Sequence, residues 1–201
     1  MECKNPNHPK EGDQIKVDPI KSLKDINTIK KMLKADKPRD YCLFVLGINT
    51  NLRASDLLSI TVGQVRDLKA GEELVLKEKK TGKGRRITLN ESAVEGIQYW
   101  LRSPQGRTLE DEDRLFKSQR GVLTVQSVNR LVKTWCKTIN LPGNYGSHTL
   151  RKTFGYHQRV QLNTSIPELM VMFNHSTQRQ TLDYLCIQAD EIKDAYMKLC
   201  L

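Results

Sequence analysis

The sequence predicts an α+β domain, mostly helical with one small antiparallel sheet, and three observations carry that expectation. Apolar residues recur at three- and four-residue spacing through most of the chain. One stretch, 73–89, switches to the period of strands around a glycine-bearing turn. A length of 201 residues is enough to bury a single core without disulfides or metal.

Taken in order, residues 1–21 are rich in Pro, Lys, Asn and Asp and poor in large apolar side chains, so they are expected to form a flexible tail. Ser22 then reads as a helix cap, followed by Leu23, Ile26, Ile29, Met32 and Leu33 at helical spacing up to Lys37-Pro38. Tyr41 to Asn49 forms a second, largely apolar helix. Asn49-Thr50-Asn51 breaks it, and Ser55-Asp56 starts a short helix that turns Leu57, Leu58 and Ile60 inward. Glu73 to Lys77 and Arg86 to Leu89 alternate as strands around Thr81-Gly82-Lys83-Gly84, which makes a basic β-hairpin. Helices follow over Glu91–Leu101, Val125–Ile139, His148–Val160, Ile166–Phe173, Gln178–Leu185 and Asp190–Leu199. Residues 22–201 are thus expected to be one domain, with no repeat or low-complexity tract.

Lysine and arginine number 33 against 23 acidic residues, a net charge of +10, which favours a polyanionic partner through counterion release. An ordinary basic protein has the same balance, so charge alone does not decide for nucleic acid. The five cysteines, Cys3, Cys42, Cys136, Cys186 and Cys200, are odd in number and form no C-x-x-C pair, which suits a reducing compartment. Cys3 and His8 lack a second pair at ligand spacing, so no metal is expected. There is no bilayer-length apolar run and no signal-peptide core near the start. A cytoplasmic protein is the expectation, with no membrane partner.

Candidate chemistry concentrates in the last third. His148 and Arg151 stand three apart near a helix start, so both project from one face and can hold the same anion, with the amide donors of the helix end beside them. Alone, such a pair also fits a surface salt-bridge residue beside a core histidine. Twenty-four positions beyond Arg151 comes His175, in Asn174-His175-Ser176-Thr177, and nine beyond that comes Tyr184. This order and spacing resembles the C-terminal signature of the tyrosine recombinases, the phage integrases and their chromosomal relatives. The family usually has Gly before the second histidine. Asn174 also tolerates left-handed backbone angles, so the turn is expected to survive.

The resemblance implies a further arginine far upstream, in a short helix after a loop and three residues before a carboxylate. Arg53 and Asp56 fit that place, with Asp56 orienting Arg53. It also implies a lysine at the β-hairpin. Lys80, just before the Thr-Gly turn, is the first candidate and Lys83 the second. Lys79, Lys83, Arg85 and Arg86 are expected to contact the DNA backbone. The resemblance covers residues 22–201 as a catalytic domain, without the N-terminal core-binding domain that the family usually carries.

These residue types suit transfer of a phosphodiester to a tyrosine. Attack by the Tyr184 oxygen builds negative charge on the non-bridging oxygens, which Arg53 and Arg151 can meet with fork-shaped hydrogen bonds. His148 and His175 can bond the same oxygens, with His148 placed to help remove the tyrosine proton. As the resemblance implies, Lys80 would protonate the leaving 5′-oxygen while Tyr184 keeps the 3′-phosphate. Neither metal nor cofactor is required. The implied partners are double-stranded DNA and further recombinase subunits in a tetrameric synapse, with the segment after Tyr184 docking into a neighbour. A type IB topoisomerase uses a closely similar set, but the second histidine and the nine-residue spacing favour recombination. A non-catalytic DNA-binding regulator on the same fold is the reading from a different class, which covalent trapping on DNA separates.

Overall fold

Ser22 caps the first helix as its residue type predicts, its hydroxyl accepting from the Asp25 amide at 3.2 Å, and α1 runs Leu23–Asp36 with Ile26, Ile29 and Leu33 buried. The computed structural model describes residues 17–77, 82, 84–118, 121–185, 193 and 196–198. Pro38 stands in the first turn of α2 (Pro38–Asn49), where its missing N–H costs nothing, so this helix starts earlier than the expected Tyr41. Tyr41 to Gly47 are all buried, and α2 is the central rod of the domain, packed against α1, α4 (Glu91–Leu101) and α6 (Ser147–Leu162). Its Phe44 meets Trp135 of α5 (Val125–Thr138) edge-on at 5.8 Å. A Cβ on Gly47 would lie 2.5 Å from Leu150 Cδ1, so the close approach of α2 to α6 depends on that glycine.

Between α2 and α4 the chain makes the one-turn helix α3 (Ala54–Leu57) and then an antiparallel hairpin, β1 (Glu73–Lys77) with β2 (Gly84–Thr88). Register runs from Glu73 opposite Thr88 to Lys77 opposite Gly84, and only Leu74 and Leu76 of β1 turn into the core. The hairpin is as expected, although β2 begins two residues earlier than the apolar pattern suggested. A second, smaller hairpin was not expected: β3 (Lys117–Ser118) pairs with β4 (Gly121–Val122). Strands of two residues carry no readable period, so nothing in the pattern could announce it.

Residues 17–21 correct the expected tail. The Asp18 amide donates to the Asn144 carbonyl at 2.7 Å, Asp18 Oδ2 accepts from the Asn144 amide, and the Ile20 amide donates to Thr153 Oγ1. Ile20 is buried. A short polar segment with one apolar anchor reads as a tail by composition, yet here it is tied along α6. Residues 1–16 lie outside the described residues.

Two short helices follow α6, α7 (Ile166–Phe173) and α8 (Gln178–Leu185). They fold onto α6 around a small core of their own, Leu169, Phe173 and Leu185, joined by Phe154 and the Tyr184 ring. A capping box between Ser165 and Glu168 starts α7, and Asn174 ends it in the left-handed region at φ 54° and ψ 48°. The turn before His175 therefore forms with Asn where the family usually has Gly. Most of the expected last helix, Asp190–Leu199, lies outside the described residues; Lys193 and residues 196–198 are helical. No helix among the described residues is long and apolar enough to cross a membrane.

Candidate active site

The site assembles where the C-terminal end of α7 meets α6, α8 and the loop before α3. Gly146, Ser147 and the side chains around them set the start of α6: the Gly146 amide donates to Thr149 Oγ1 at 3.0 Å, and Asn129 Oδ1 accepts from the Ser147 amide at 3.0 Å. His148 follows at the exposed rim of this helix end, whereas Arg151, one turn on, is 3% exposed. The Arg151 guanidinium donates to the Phe173 carbonyl at 2.7 Å, its Nη2 closing the C-terminal end of α7, where the helix dipole favours a cation. It also lies over the Phe173 and Tyr184 rings, at 5.2 and 5.9 Å from their centroids.

Phe173 is the platform of the site. Fully buried, it stacks on the His175 ring at 5.1 Å with 18° between planes and tilts against Tyr184 at 5.1 Å. His175 meets Tyr184 edge-on at 5.4 Å and its Nδ1 lies 3.0 Å from Thr181 Oγ1, a buried hydroxyl on α8. Burial lowers the His175 pKa to about 4, and the charges of Arg151 and Arg53 push the same way. The ring is therefore neutral at neutral pH, with Nε2 the nitrogen left to face a ligand. Tyr184 is half-buried on α8, its hydroxyl oxygen enclosed.

Arg53 precedes α3 in extended backbone, and its Nη1 stands 3.8 Å from Asp56 Oδ2. Asp56 is completely buried, and a carboxylate there has a guanidinium as its compensating charge. Arg53 comes from the other half of the chain, yet its charge is felt at His175. Of the six expected catalytic residues, Arg151 and His175 thus both meet the Tyr184 ring; Arg53 is electrostatically coupled to His175 and His148 is at the rim. Lys80, with Lys79 and Lys83, lies outside the described residues.

Two residues hold the loop before α3 and the hairpin onto this centre. Asn51, left-handed at φ 53°, donates through Nδ2 to the Met172 carbonyl at 2.6 Å, and Arg85 Nη2 donates to the same carbonyl at 2.8 Å and to the Asn51 carbonyl at 3.2 Å. The hairpin arginine expected on the DNA backbone thus has an internal role as well. Arg86 remains exposed and pairs with Glu73 across the strands at 3.1 Å. Sequence reasoning also passed over Lys152. It is 6% exposed, and its Nζ lies 5.2 Å above the Tyr184 ring. The only signal was a second basic residue directly after Arg151, which reads equally well as an exposed helix position.

Fold and site together define the class of tyrosine-type site-specific recombinases, enzymes that transfer DNA strands. The chain matches the model of the phage integrase family over residues 21–191 and belongs to that family. It is 36% identical over 182 residues to the probable integrase/recombinase YoeC of Bacillus subtilis, covering 90% of this chain and 95% of that protein. It is 30% identical over 164 residues to the tyrosine recombinase XerC of Caldanaerobacter subterraneus subsp. tengcongensis, covering 81% of this chain but 45% of that one. The fold is shared with the XerH site-specific recombinase bound to a palindromic difH substrate in a post-cleavage complex, at a TM-score of 0.72 and 18% identity, over 93% of this chain and 54% of that one.

Proposed function

We propose that this chain cuts and rejoins DNA at specific sites through a covalent 3′-phosphotyrosyl intermediate on Tyr184. One observation supports it above the rest: the Tyr184 ring packs against Arg151 and His175, residues 33 and 9 positions upstream, on a shared Phe173 platform. A tyrosine kept only for core packing has no need of a buried guanidinium and a neutral imidazole at its ring.

In the proposed reaction Arg151 and Arg53 hold the two non-bridging oxygens of the scissile phosphate. Asp56 keeps Arg53 in register, and the neutral His175 donates from Nε2. The Tyr184 oxygen loses its proton toward His148 at the rim and bonds to phosphorus as the 5′-oxygen departs with a proton from Lys80. A 5′-hydroxyl from another strand reverses these steps and rejoins the backbone. The phosphotyrosyl ester keeps the energy of the broken bond, so no ATP is consumed. The arginines supply the positive charge that a metal supplies elsewhere.

The proposed partner is double-stranded DNA, gripped through Lys79, Lys83, Arg85 and Arg86 of the hairpin as well as the site, with further subunits forming a tetrameric synapse. Residues 22–201 act as the catalytic domain, inside the cell and on the DNA. The test offers the full chain a pool of nicked duplexes of randomised sequence and recovers SDS-resistant protein–DNA adducts. Wild type is expected to yield an adduct whose DNA-bearing peptide contains Tyr184, and Tyr184→Phe to bind the pool yet yield none. An adduct formed by Tyr184→Phe excludes the nucleophile, and failure of the wild type to form any adduct removes the reading.

A further inference from the structure

Lys152 is a charged side chain of α6 that the proposed chemistry does not use, and it is placed unlike a DNA contact. Its side chain is buried at 6% exposure, so it cannot reach along a phosphate backbone as a surface lysine does. Its ammonium group lies 5.2 Å from the centroid of the Tyr184 ring, inside the range in which a cation is attracted by an aromatic face. Arg151, its neighbour on the same helix, meets the same ring at 5.9 Å. Phe173 and His175, which also meet the ring, are uncharged at neutral pH. An ammonium taken out of water is costly unless something compensates it. Here part of that compensation comes from a ring that belongs to the proposed nucleophile.

We propose that Lys152 is a positioning residue for Tyr184: with Arg151 it forms a two-cation clamp from α6 that fixes the phenol ring of α8. The structural need is visible in the elements. Helix α8 has eight residues and buries only Thr181 and Leu185, so the Tyr184 ring is set by what α6 and α7 bring against it. Helix α6 is sixteen residues long, anchored against α2 and α5, and is the rigid element from which the ring can be held. A positive charge at that place also favours the tyrosyl oxygen as it takes on negative charge during attack. Lys152 acts through Tyr184 and touches neither phosphate nor leaving group. The inference rests on Tyr184 being the nucleophile, but its first test does not.

That test uses the full chain without DNA, with ring-13C tyrosine, and follows the Tyr184 resonance identified by its loss in Tyr184→Phe. Lys152→Met keeps the length and removes the charge; Lys152→Arg keeps the charge. The Tyr184 signal is expected to move toward the position of an unrestrained tyrosine in Lys152→Met and to stay near the wild-type position in Lys152→Arg. An unmoved signal in Lys152→Met, or equal displacement in both variants, overturns the clamp. On the nicked-duplex pool, Lys152→Met is expected to slow adduct formation about tenfold, the scale of one desolvated cation–π contact. Its DNA affinity should stay within about twofold, and Lys152→Arg should recover most of the rate. A weakened affinity with a shallower salt dependence would make Lys152 a phosphate contact and overturn the proposal. Should no wild-type adduct form, the proposed reaction fails while the resonance still decides whether Lys152 holds the ring.

Discussion

His175 shows how a single residue acquires its chemistry from neighbours distant in sequence. Burial and the charges of Arg151 and Arg53 hold its pKa at about 4 against an ordinary value of 6.5. As pH falls from about 6.5 to about 4, the unfolded chain takes up a proton that the folded chain refuses, so stability is lost through that window and levels off below it. The ring is half-buried, so solvent screening reduces the loss to about 1 kcal/mol. Urea midpoints measured across the window should fall more steeply for the wild type than for His175→Gln; equal slopes would exclude a depressed histidine. Of the residues themselves, His148, Arg151, His175 and Tyr184 were legible as types at a spacing, because one helix face and one short turn relate them locally. Lys152 and Phe173 were not: a lysine and a phenylalanine in helices carry no mark of the ring they face.

At the level of elements, the meeting of α6 with α7 and α8 depends on one residue without a side chain. A Cβ on Gly155 would lie 2.5 Å from Phe173 Cζ and 2.7 Å from Leu185 Cδ2, and both of those side chains are fully buried. Alanine is the better helix former by roughly 0.5–1 kcal/mol, but overpacking a closed core costs about 1–3 kcal/mol, so the clash wins. Gly155→Ala is expected to lower the thermal midpoint and to displace Phe173, on whose carbonyl and ring Arg151 and His175 rest. A midpoint at or above wild type would show that the interface yields freely. Most helices of the described chain were legible from their apolar period, and α1 also from its Ser22 cap. The early start of α2 and the β3–β4 hairpin were not, since a first-turn proline and two-residue strands leave the period unchanged.

Across the whole molecule, α6 is the junction. It packs on α2 and α5, receives residues 17–20 along its side, and carries on its α8-facing turns the residues that meet Tyr184. The proposed reaction needs a second subunit, and the segment after Tyr184 is its expected link. Truncation before Ala189 should leave binding of single chains to DNA intact and weaken their assembly on it several-fold, as read by gel mobility and sedimentation. Unchanged assembly would rule out that segment as the link. By itself the sequence determined the helical period, the hairpin, the excess of positive charge and the spacing of the histidines, arginine and tyrosine, all of which are local or additive properties of the chain. Only the tertiary structure decided that the charge of Arg53 is felt at His175 across the domain, that Arg85 and Asn51 share the Met172 carbonyl, and that Lys152 turns onto Tyr184. Those relations depend on how helices pack at a crossing, and close packing is a property of the folded whole that no stretch of sequence contains.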